Sequence, residues 1–270
     1  MAIVVNTNAA SLASSNFLNL ARAETDLAME RLASGKKING GKDDAAGLAI
    51  ASRMTAQIRG LNQAERNAAD GISYTQVAEG ALVEVENMLQ RMRELAVQAN
   101  NGVYSVADRS YLNLEYQALT KEIERIGKAT SFNGADVFST GGTTTMSIQI
   151  GYTTNAEDKV THTLSSLGFT SDGVTSVASS GASIAQLTTF INTVRAERAD
   201  LGATINRLTY TIDNLANIAV NTAASKSRIM DADYAVESAN LARSQIMMQA
   251  ATAMLSQANS APQQVLSLLQ

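Results

Sequence analysis

The stretch "LTTFINTVRAERADLGATINRLTYTIDNLANIAVNT" from Leu187 to Thr222 decides the fold class. Its seam positions are spaced alternately by four and three residues, without a slip, at Leu187, Ile191, Val194, Arg198, Leu201, Ile205, Leu208, Ile212, Leu215, Ala219 and Thr222. Five such heptads predict a long helix with a coiled-coil seam. Arg198 is the one charged member, and it predicts either a local register device or a side chain that reaches out to solvent.

A second long helix is predicted from about Asp44 to Ala99 by apolar residues spaced in threes and fours, such as Leu82, Val85 and Leu89. At 1.5 Å per residue, the segments 61–99 and 186–226 would each span roughly 60 Å. Their matched lengths predict an antiparallel pair.

A third helix is predicted to start at Ser105, which forms a capping-box signal with Asp108, and to stop near Gly127. Its apolar stripe is spaced by fours and threes. The members are Leu112, Tyr116, Leu119, Ile123 and Ile126.

Both chain ends carry thin stripes of mostly small residues at helical spacing. The N-terminal stripe, within residues 6–32, is Ala13, Phe17, Leu20, Ala23 and Leu27. The C-terminal stripe is Ala239, Ala242, Ile246, Ala250 and Ala253, followed by Val265, Leu266, Leu268 and Leu269 in "VLSLLQ". Because thin stripes bury too little area to offset the entropy of ordering, we expect these helices to need partners.

The segment 139–182 differs in composition, since Ser, Thr and Gly make up about half of its residues. Alternation at Met146, Ile148, Ile150 and Tyr152, and again at Val160, His162 and Leu164, predicts a β-hairpin. The following "SSLGFTSDGVTSVASSGAS" is typical of a loop. The expected fold is therefore mostly α: a long antiparallel helical coiled-coil rod with a small β-hairpin insert and paired terminal helices.

Composition excludes several functional classes. A formal net charge of −4 and a pI near 5.1, without a basic stripe, disfavour nucleic acid as a partner. The chain has no cysteine, so thiolate metal sites are excluded, and no apolar run is long enough to insert in a membrane. The N-terminus lacks a charged n-region, its first basic residue being Arg22, so we expect export without a cleaved signal peptide.

The sequence predicts no enzyme and no catalytic, cofactor-binding or metal site. "GKKINGGKDDAAG" at 35–47 lacks the spacing and hydroxyl residue of a phosphate-binding loop, so Asp43 or Asp44 is interpreted as a helix cap. "DADY" at 231–234 lacks the glycine and distal glutamate of a calcium loop and fits a helix start. The single histidine, His162, is interpreted as a structural or surface residue.

One surface stretch, "LQRMRELAVQANNG", places Arg91 and Leu95 on the same helix face. We expect that this face is not wholly buried. It is interpreted either as a solvated flank of the coiled coil or as a protein contact.

Long motifs in both halves of the chain resemble bacterial flagellin, the subunit of the flagellar filament. The resemblance covers residues 1–138 and 186–270. It rests on "NTNAASL", "MERLASGKKIN", "KDDAAGLAIASRM", "RGLNQAERNAADGIS", "AEGAL", "LQRMRELAVQANNG", "SFNG", "LGATINRL" and "PQQVLSLLQ". The chain departs from the family's usual pattern in "INGG" and in its terminal Gln270.

The resemblance implies a helical homopolymer for swimming motility, located in the extracellular flagellum. Residues 1–42 and 228–270 are then expected in the inner-tube domain (D0). Residues 43–185, including the insert 139–182, and residues 186–227 are expected in the rod domain (D1). Self-assembly contacts are expected at Phe17, Leu20, Leu27, Ile246, Ala250, Val265, Leu266, Leu268 and Leu269.

The resemblance also implies partners other than the chain itself. These are a flagellar export chaperone, cap and junction proteins, and an animal flagellin-sensing Toll-like receptor that would contact Arg91, Leu95 and Glu115. The alternative interpretation is a hook-filament junction protein, which also has flagellin-like ends. The "LQRMRELAVQANNG" stretch and the "PQQVLSLLQ" ending favour the main filament.

Overall fold

The computed structural model describes residues 7–139, 142–168 and 173–267, with the side chains of 261–267 excepted. The helices are α1 (Ala9–Ser34), α2 (Ala45–Ala99), α3 (Val106–Ala129), α4 (Val177–Met230) and α5 (Tyr234–Ser267). The strands are β1 (Ser131–Phe132), β2 (Ala135–Asp136), β3 (Thr144–Gln149) and β4 (Lys159–Leu164). The chain forms two compact units, a terminal unit of Met1–Ala56 with Asn221–Gln270 and a central unit of Gln57–Val220.

In the central unit, α2 and α4 pack side by side in opposite directions. Leu61 lies with Leu215, Ala68 with Leu208, and residues further along α2 pack with the early part of α4. Since positions rise along α2 as they fall along α4, the pair is antiparallel, as predicted. The predicted seam is also confirmed, with these α4 members buried: Leu187, Ile191, Val194, Leu201, Leu208 and Leu215.

Arg198, the charged residue of the seam, forms an ion pair with Glu86. It is half-buried, and its guanidinium bonds the carboxylate of Glu86 on α2, which also accepts a 2.8 Å bond from Arg195. This ion pair favours the interpretation of Arg198 as a local register device, because it joins α4 to a buried carboxylate on α2. The bond from Arg195, followed by that from Arg198, holds the pKa of Glu86 below its ordinary value despite burial.

Helix α3 begins with the predicted capping box. Ser105 Oγ accepts from the Asp108 backbone N–H at 3.2 Å, and Asp108 Oδ2 accepts from the Ser105 N–H at 3.0 Å. The Ser105 hydroxyl, which donates to Asp108 Oδ2 at 2.7 Å, and then the Ser105 N–H lower the pKa of Asp108. Arg109, which is buried, donates from Nε to the Ala99 carbonyl at 2.9 Å and so satisfies the end of α2.

The predicted β-hairpin is present, with Met146 opposite His162 and Ile148 opposite Val160. Ile148 and Val160 pack on Ala68 of α2 and Leu208 of α4. A Cβ at Gly71 would lie 2.2 Å from Ile148 Cδ1, so the glycine permits this close approach.

A shorter hairpin, β1–β2, was not predicted. Its turn is Asn133-Gly134, with φ angles of 50° and 80°, the left-handed pair that a type I′ turn requires. The "NG" dipeptide was the available signal, but strands of two residues are too short to show alternation.

The loop predicted up to Ser183 is wrong from residue 177 onward, because α4 already begins at Val177. Ser176 Oγ accepts from the Ser179 N–H at 3.1 Å and caps the helix. Ser180 and Ser183 are fully buried and bond the carbonyls of Ser176 and Gly173. Small polar residues thus replace large apolar ones at the packed positions, which removes the periodic signal.

The connection between α1 and α2 resolves the alternative left open for the two aspartates. Asp44 Oδ1 accepts from the Gly47 N–H at 2.9 Å and caps α2. Asp43 Oδ2 instead accepts from the N–H groups of Asn39 (3.0 Å) and Gly40 (3.1 Å), which lowers its pKa. The stretch is a structured turn between two helices.

Candidate assembly surfaces

In the terminal unit, α1 and α5 pack antiparallel. Asn8 Nδ2 donates to the Ala258 carbonyl at 2.8 Å near one end, and Arg31 Nη1 donates to Glu237 Oε1 at 3.0 Å near the other. The buried positions of α1 are Leu18, Ala21, Thr25 and Ala28, spaced by three and four. Facing them, Glu237 and Ser244 are buried and four half-buried residues continue a heptad: Leu241, Met248, Ala251 and Leu255.

Backbone hydrogen bonds fasten the end of the pair that carries the chain connections. The Lys37 N–H donates to the Met230 carbonyl at 2.7 Å, and the Ala232 N–H donates to the Gly35 carbonyl at 3.0 Å. The ends of α1 and α4 are therefore held together by the main chain.

The stripe predicted on α1 is not the face that packs on α5, so α5 of the same chain is not the partner that this stripe was expected to need. Phe17 is 62% exposed and Leu20 is exposed, as are Ala13 and Ala23, while Leu27 is half-buried. The contact with α5 runs instead through the neighbouring positions Leu18, Ala21, Thr25 and Ala28.

The predicted stripe on α5 also faces solvent. Ile246 is 65% exposed, and Ala250 is exposed as well. Large apolar side chains that are unused within the chain are available to another molecule. The side chains of Val265, Leu266, Leu268 and Leu269 lie outside the described residues, so their predicted role stays a prediction.

The second predicted surface lies in the central unit, where Arg91 of α2 donates from Nε to Glu115 Oε1 of α3 at 2.9 Å. Arg91 also pairs with Glu94 at 3.0 Å, and both carboxylates raise the pKa of the guanidinium. Arg91 and Glu115 are exposed. Leu95 is only 1% exposed and belongs to the core, so the face that it shares with Arg91 is exposed at Arg91 and buried at Leu95.

The single histidine, which the sequence suggests is a structural or surface residue, lies in the interior of the protein. His162 is buried, with Nδ1 3.2 Å from Asp200 Oδ2 and 3.4 Å from Thr204 Oγ1.

Within the described ranges, no group of three or more His, Cys, Asp or Glu side chains could hold a metal ion. In that same part of the chain, no helix is both long and apolar enough to cross a bilayer.

Comparisons with known proteins identify the family of the chain. The model of the bacterial flagellin N-terminal helical region matches residues 5–143, and that of the bacterial flagellin C-terminal helical region matches residues 184–269. The chain belongs to the bacterial flagellin family. This confirms the resemblance.

Full-length flagellins are similar along nearly the whole chain. The flagellar filament 33 kDa core protein of Treponema phagedenis is 39% identical over 285 residues, covering 99% of this chain and all of the relative. A flagellin of Halalkalibacterium halodurans is 41% identical over 276 residues with the same coverage. The crystal structure of Bacillus cereus flagellin is similar at 32% identity, with 60% of this chain and 94% of that one covered and a TM-score of 0.47.

As a flagellin, the chain is a subunit of the extracellular flagellar filament and polymerises with copies of itself. The family is one of structural proteins. The matches do not favour the alternative of a hook-filament junction protein.

Proposed function

We propose that the outward faces of α1 and α5 are the contacts through which this flagellin polymerises, with Phe17, Leu20, Leu27, Ile246 and Ala250 packed against neighbouring subunits. In this proposal residues 1–42 and 228–270 form the inner tube, while 43–185 and 186–227 form the rod layer. The segment 139–182 belongs to the rod part of the chain.

One observation carries the proposal: large apolar side chains of the terminal unit lie outside its helix contact, which on α1 buries Leu18 together with three smaller residues. Ala21 and Ala28 are buried between the helices, while Phe17 and Ile246 remain mostly exposed. Burying a large apolar side chain contributes roughly 1.5 to 3 kcal/mol, so an intermolecular contact that covers these exposed residues is favoured.

The test is the double variant Phe17→Ser and Leu20→Ser. Because both side chains are exposed in the subunit, the helical circular dichroism signal of the monomer should be unchanged. The concentration needed for filaments to sediment should rise steeply, since the loss recurs at every subunit of a helical polymer. Asn16→Ser, at an exposed polar position of the same helix, is the control. Sedimentation of the double variant at the parental concentration would contradict the proposed contact.

The C-terminal residues are part of the same proposal. "VLSLLQ" carries four apolar side chains, and we expect deletion of residues 265–270 to block polymerisation while the helices of the central unit remain folded. Ordered filaments formed by the truncated chain would show that this end has no assembly role.

Export and accessory partners extend the proposal. The exposed apolar faces are suited to transient cover by an export chaperone, and later to contacts with cap and junction proteins.

We propose export without cleavage of a signal peptide. Intact mass spectrometry of subunits taken from filaments should then give the full 28.5 kDa, whereas a shorter N-terminus would contradict it.

A second candidate function is recognition by an animal flagellin-sensing Toll-like receptor through Arg91 and Glu115. The observation that favours it is their exposed 2.9 Å ion pair, which bridges α2 and α3 and presents a guanidinium at the surface. Leu95 would support this surface from the core, since it is buried.

The double variant Arg91→Ala and Glu115→Ala should abolish receptor signalling with the fold retained. The matched control removes another exposed pair of the central unit, Arg125 and Glu122, which are 2.6 Å apart on α3. Equal loss of signalling in both double variants would argue for a general effect on charge, and undiminished signalling in the first would reject the surface.

A further inference from the structure

Two methionines lie on the exposed face of α5. Met247 is 47% exposed and Met254 is 62% exposed, and together with Ala250 between them they are spaced by three and four residues. Residues with this spacing share one helix face, and Ile246 lies beside them. In the subunit, both thioethers are therefore open to solvent on the apolar face that the proposed function assigns to assembly.

A thioether has a chemistry that the neighbouring aliphatic side chains lack. A peroxide transfers one oxygen atom to the methionine sulfur, which is oxidised to the sulfoxide while hydrogen peroxide is reduced to water. The product is polar and chiral, and it disrupts methionine-rich contacts. Solvent accessibility controls the reaction rate, so Met247 and Met254 should be oxidised faster than Met92, which is fully buried in the central core.

We propose that Met247 and Met254 form an oxidation site that controls assembly, with peroxide-class oxidants as the reactant. Oxidation of the free subunit blocks its addition to the filament, while subunits already assembled are protected because their neighbours cover the sulfur atoms. This inference rests on the proposed function, since it requires that the outward face of α5 is buried in the polymer.

The size of the effect follows from the cost of burying polar oxygen. A sulfoxide oxygen that leaves water without gaining a donor destabilises the contact, and two such groups act on each subunit. We expect the critical concentration for polymerisation to rise roughly ten- to a hundredfold.

The experiment treats full-length monomer with hydrogen peroxide, maps the oxygen added to each methionine by peptide mass spectrometry, and measures polymerisation by sedimentation. We expect sulfoxide at Met247 and Met254 before Met92, loss of pelleting, and recovery after treatment with methionine sulfoxide reductases. Met29 on α1 is 49% exposed and would also be oxidised, so both proteins carry Met29→Leu; in that background the variant Met247→Leu with Met254→Leu should polymerise equally with and without peroxide. In preformed filaments the two residues should oxidise more slowly than in monomer.

A second variant keeps the inference testable if the leucine variant does not fold. Met247→Gln with Met254→Gln places polar groups at the same positions and should raise the critical concentration without any oxidant. Normal polymerisation of subunits shown to carry both sulfoxides would overturn the inference, as would equal peroxide sensitivity of the leucine variant.

The two proposals can fail separately. If the Phe17 and Leu20 variant polymerises normally while peroxide still blocks assembly through Met247 and Met254, the contact proposed on α1 is wrong and the oxidation site stands. If the Phe17 and Leu20 variant is defective while fully oxidised subunits assemble, the oxidation site is wrong.

Discussion

The substitution Glu237→Ala should loosen the pairing of α1 with α5. Glu237 Oε1 accepts from Arg31 Nη1 at 3.0 Å, and the two side chains are only 10% and 22% exposed. Among the described residues, Arg31 Nε has no hydrogen-bond partner. Truncating the glutamate therefore leaves a largely buried guanidinium without its main acceptor.

The free-energy cost of this substitution follows from how deeply the ion pair is buried. Removing one partner of a fully buried ion pair costs about 3 to 5 kcal/mol, and removing an exposed one costs about 0 to 1 kcal/mol. Since Arg31 retains some access to water, we expect about 2 kcal/mol. The four buried residues of α1 include one large apolar side chain, Leu18, so the pairing has limited stability in reserve, and this loss should increase the population with α1 and α5 apart about 30-fold.

Hydrogen exchange of backbone amides, followed by mass spectrometry on dilute monomer, measures this population directly. Peptides from α1 and α5 should exchange faster in the variant, while peptides of α3 should not change. Glu30→Ala is the control, because its 3.8 Å contact with Lys42 is solvent-exposed and its loss should be nearly neutral. Unchanged protection of both terminal helices in Glu237→Ala would refute the reasoning.

Three further predictions concern the central unit. Bonds from two α4 arginines lower the pKa of Glu86. Its ionised carboxylate therefore stabilises the fold above the ordinary glutamate pKa, and this stability is lost as the pH falls from there through the lowered folded value. Thermal melts across that pH range should show a weaker pH dependence for Glu86→Gln than for the parent protein. Ser105→Ala removes the capping hydroxyl of α3 and should lower the free energy of unfolding by about 1 kcal/mol in urea, whereas Ser110→Ala should have a smaller effect. Ser183→Leu should destabilise the start of α4 by about 1 to 3 kcal/mol in the same assay, because the serine is fully buried in a close contact.

The central helices could be predicted because their large apolar residues repeat without interruption. The buried seam of α4 and the capping box of α3 follow from spacing alone, and both are present. The start of α4 could not be predicted, because Ser180 and Ser183 pack through small side chains and bond backbone carbonyls. A seam made of serine has no hydrophobic period.

The candidate surfaces were predicted less completely, for a related reason. Spacing placed Arg91 and Leu95 on one helix face, but only the position of α3 and α4 decides that Leu95 is buried while Arg91 meets Glu115. Likewise the ion pair of Glu86 with the α4 arginines joins residues more than a hundred positions apart, which no local pattern indicates. Contacts between distant segments depend on the packed structure.

The two faces of α1 make different contacts, and their side chains differ in size. Among the four buried residues of α1 only Leu18 has a large apolar side chain, so α1 contributes a limited apolar area to its pairing with α5. Phe17 and Leu20 are large apolar side chains of that helix that remain exposed, outside its contact with α5. Polymerisation that covers them binds the folded form of the terminal unit and not the unfolded one, so assembly stabilises the unit by mass action. The stability of the terminal helices should therefore rise with subunit concentration, while the central core, whose large side chains are already buried within the chain, should unfold independently of it.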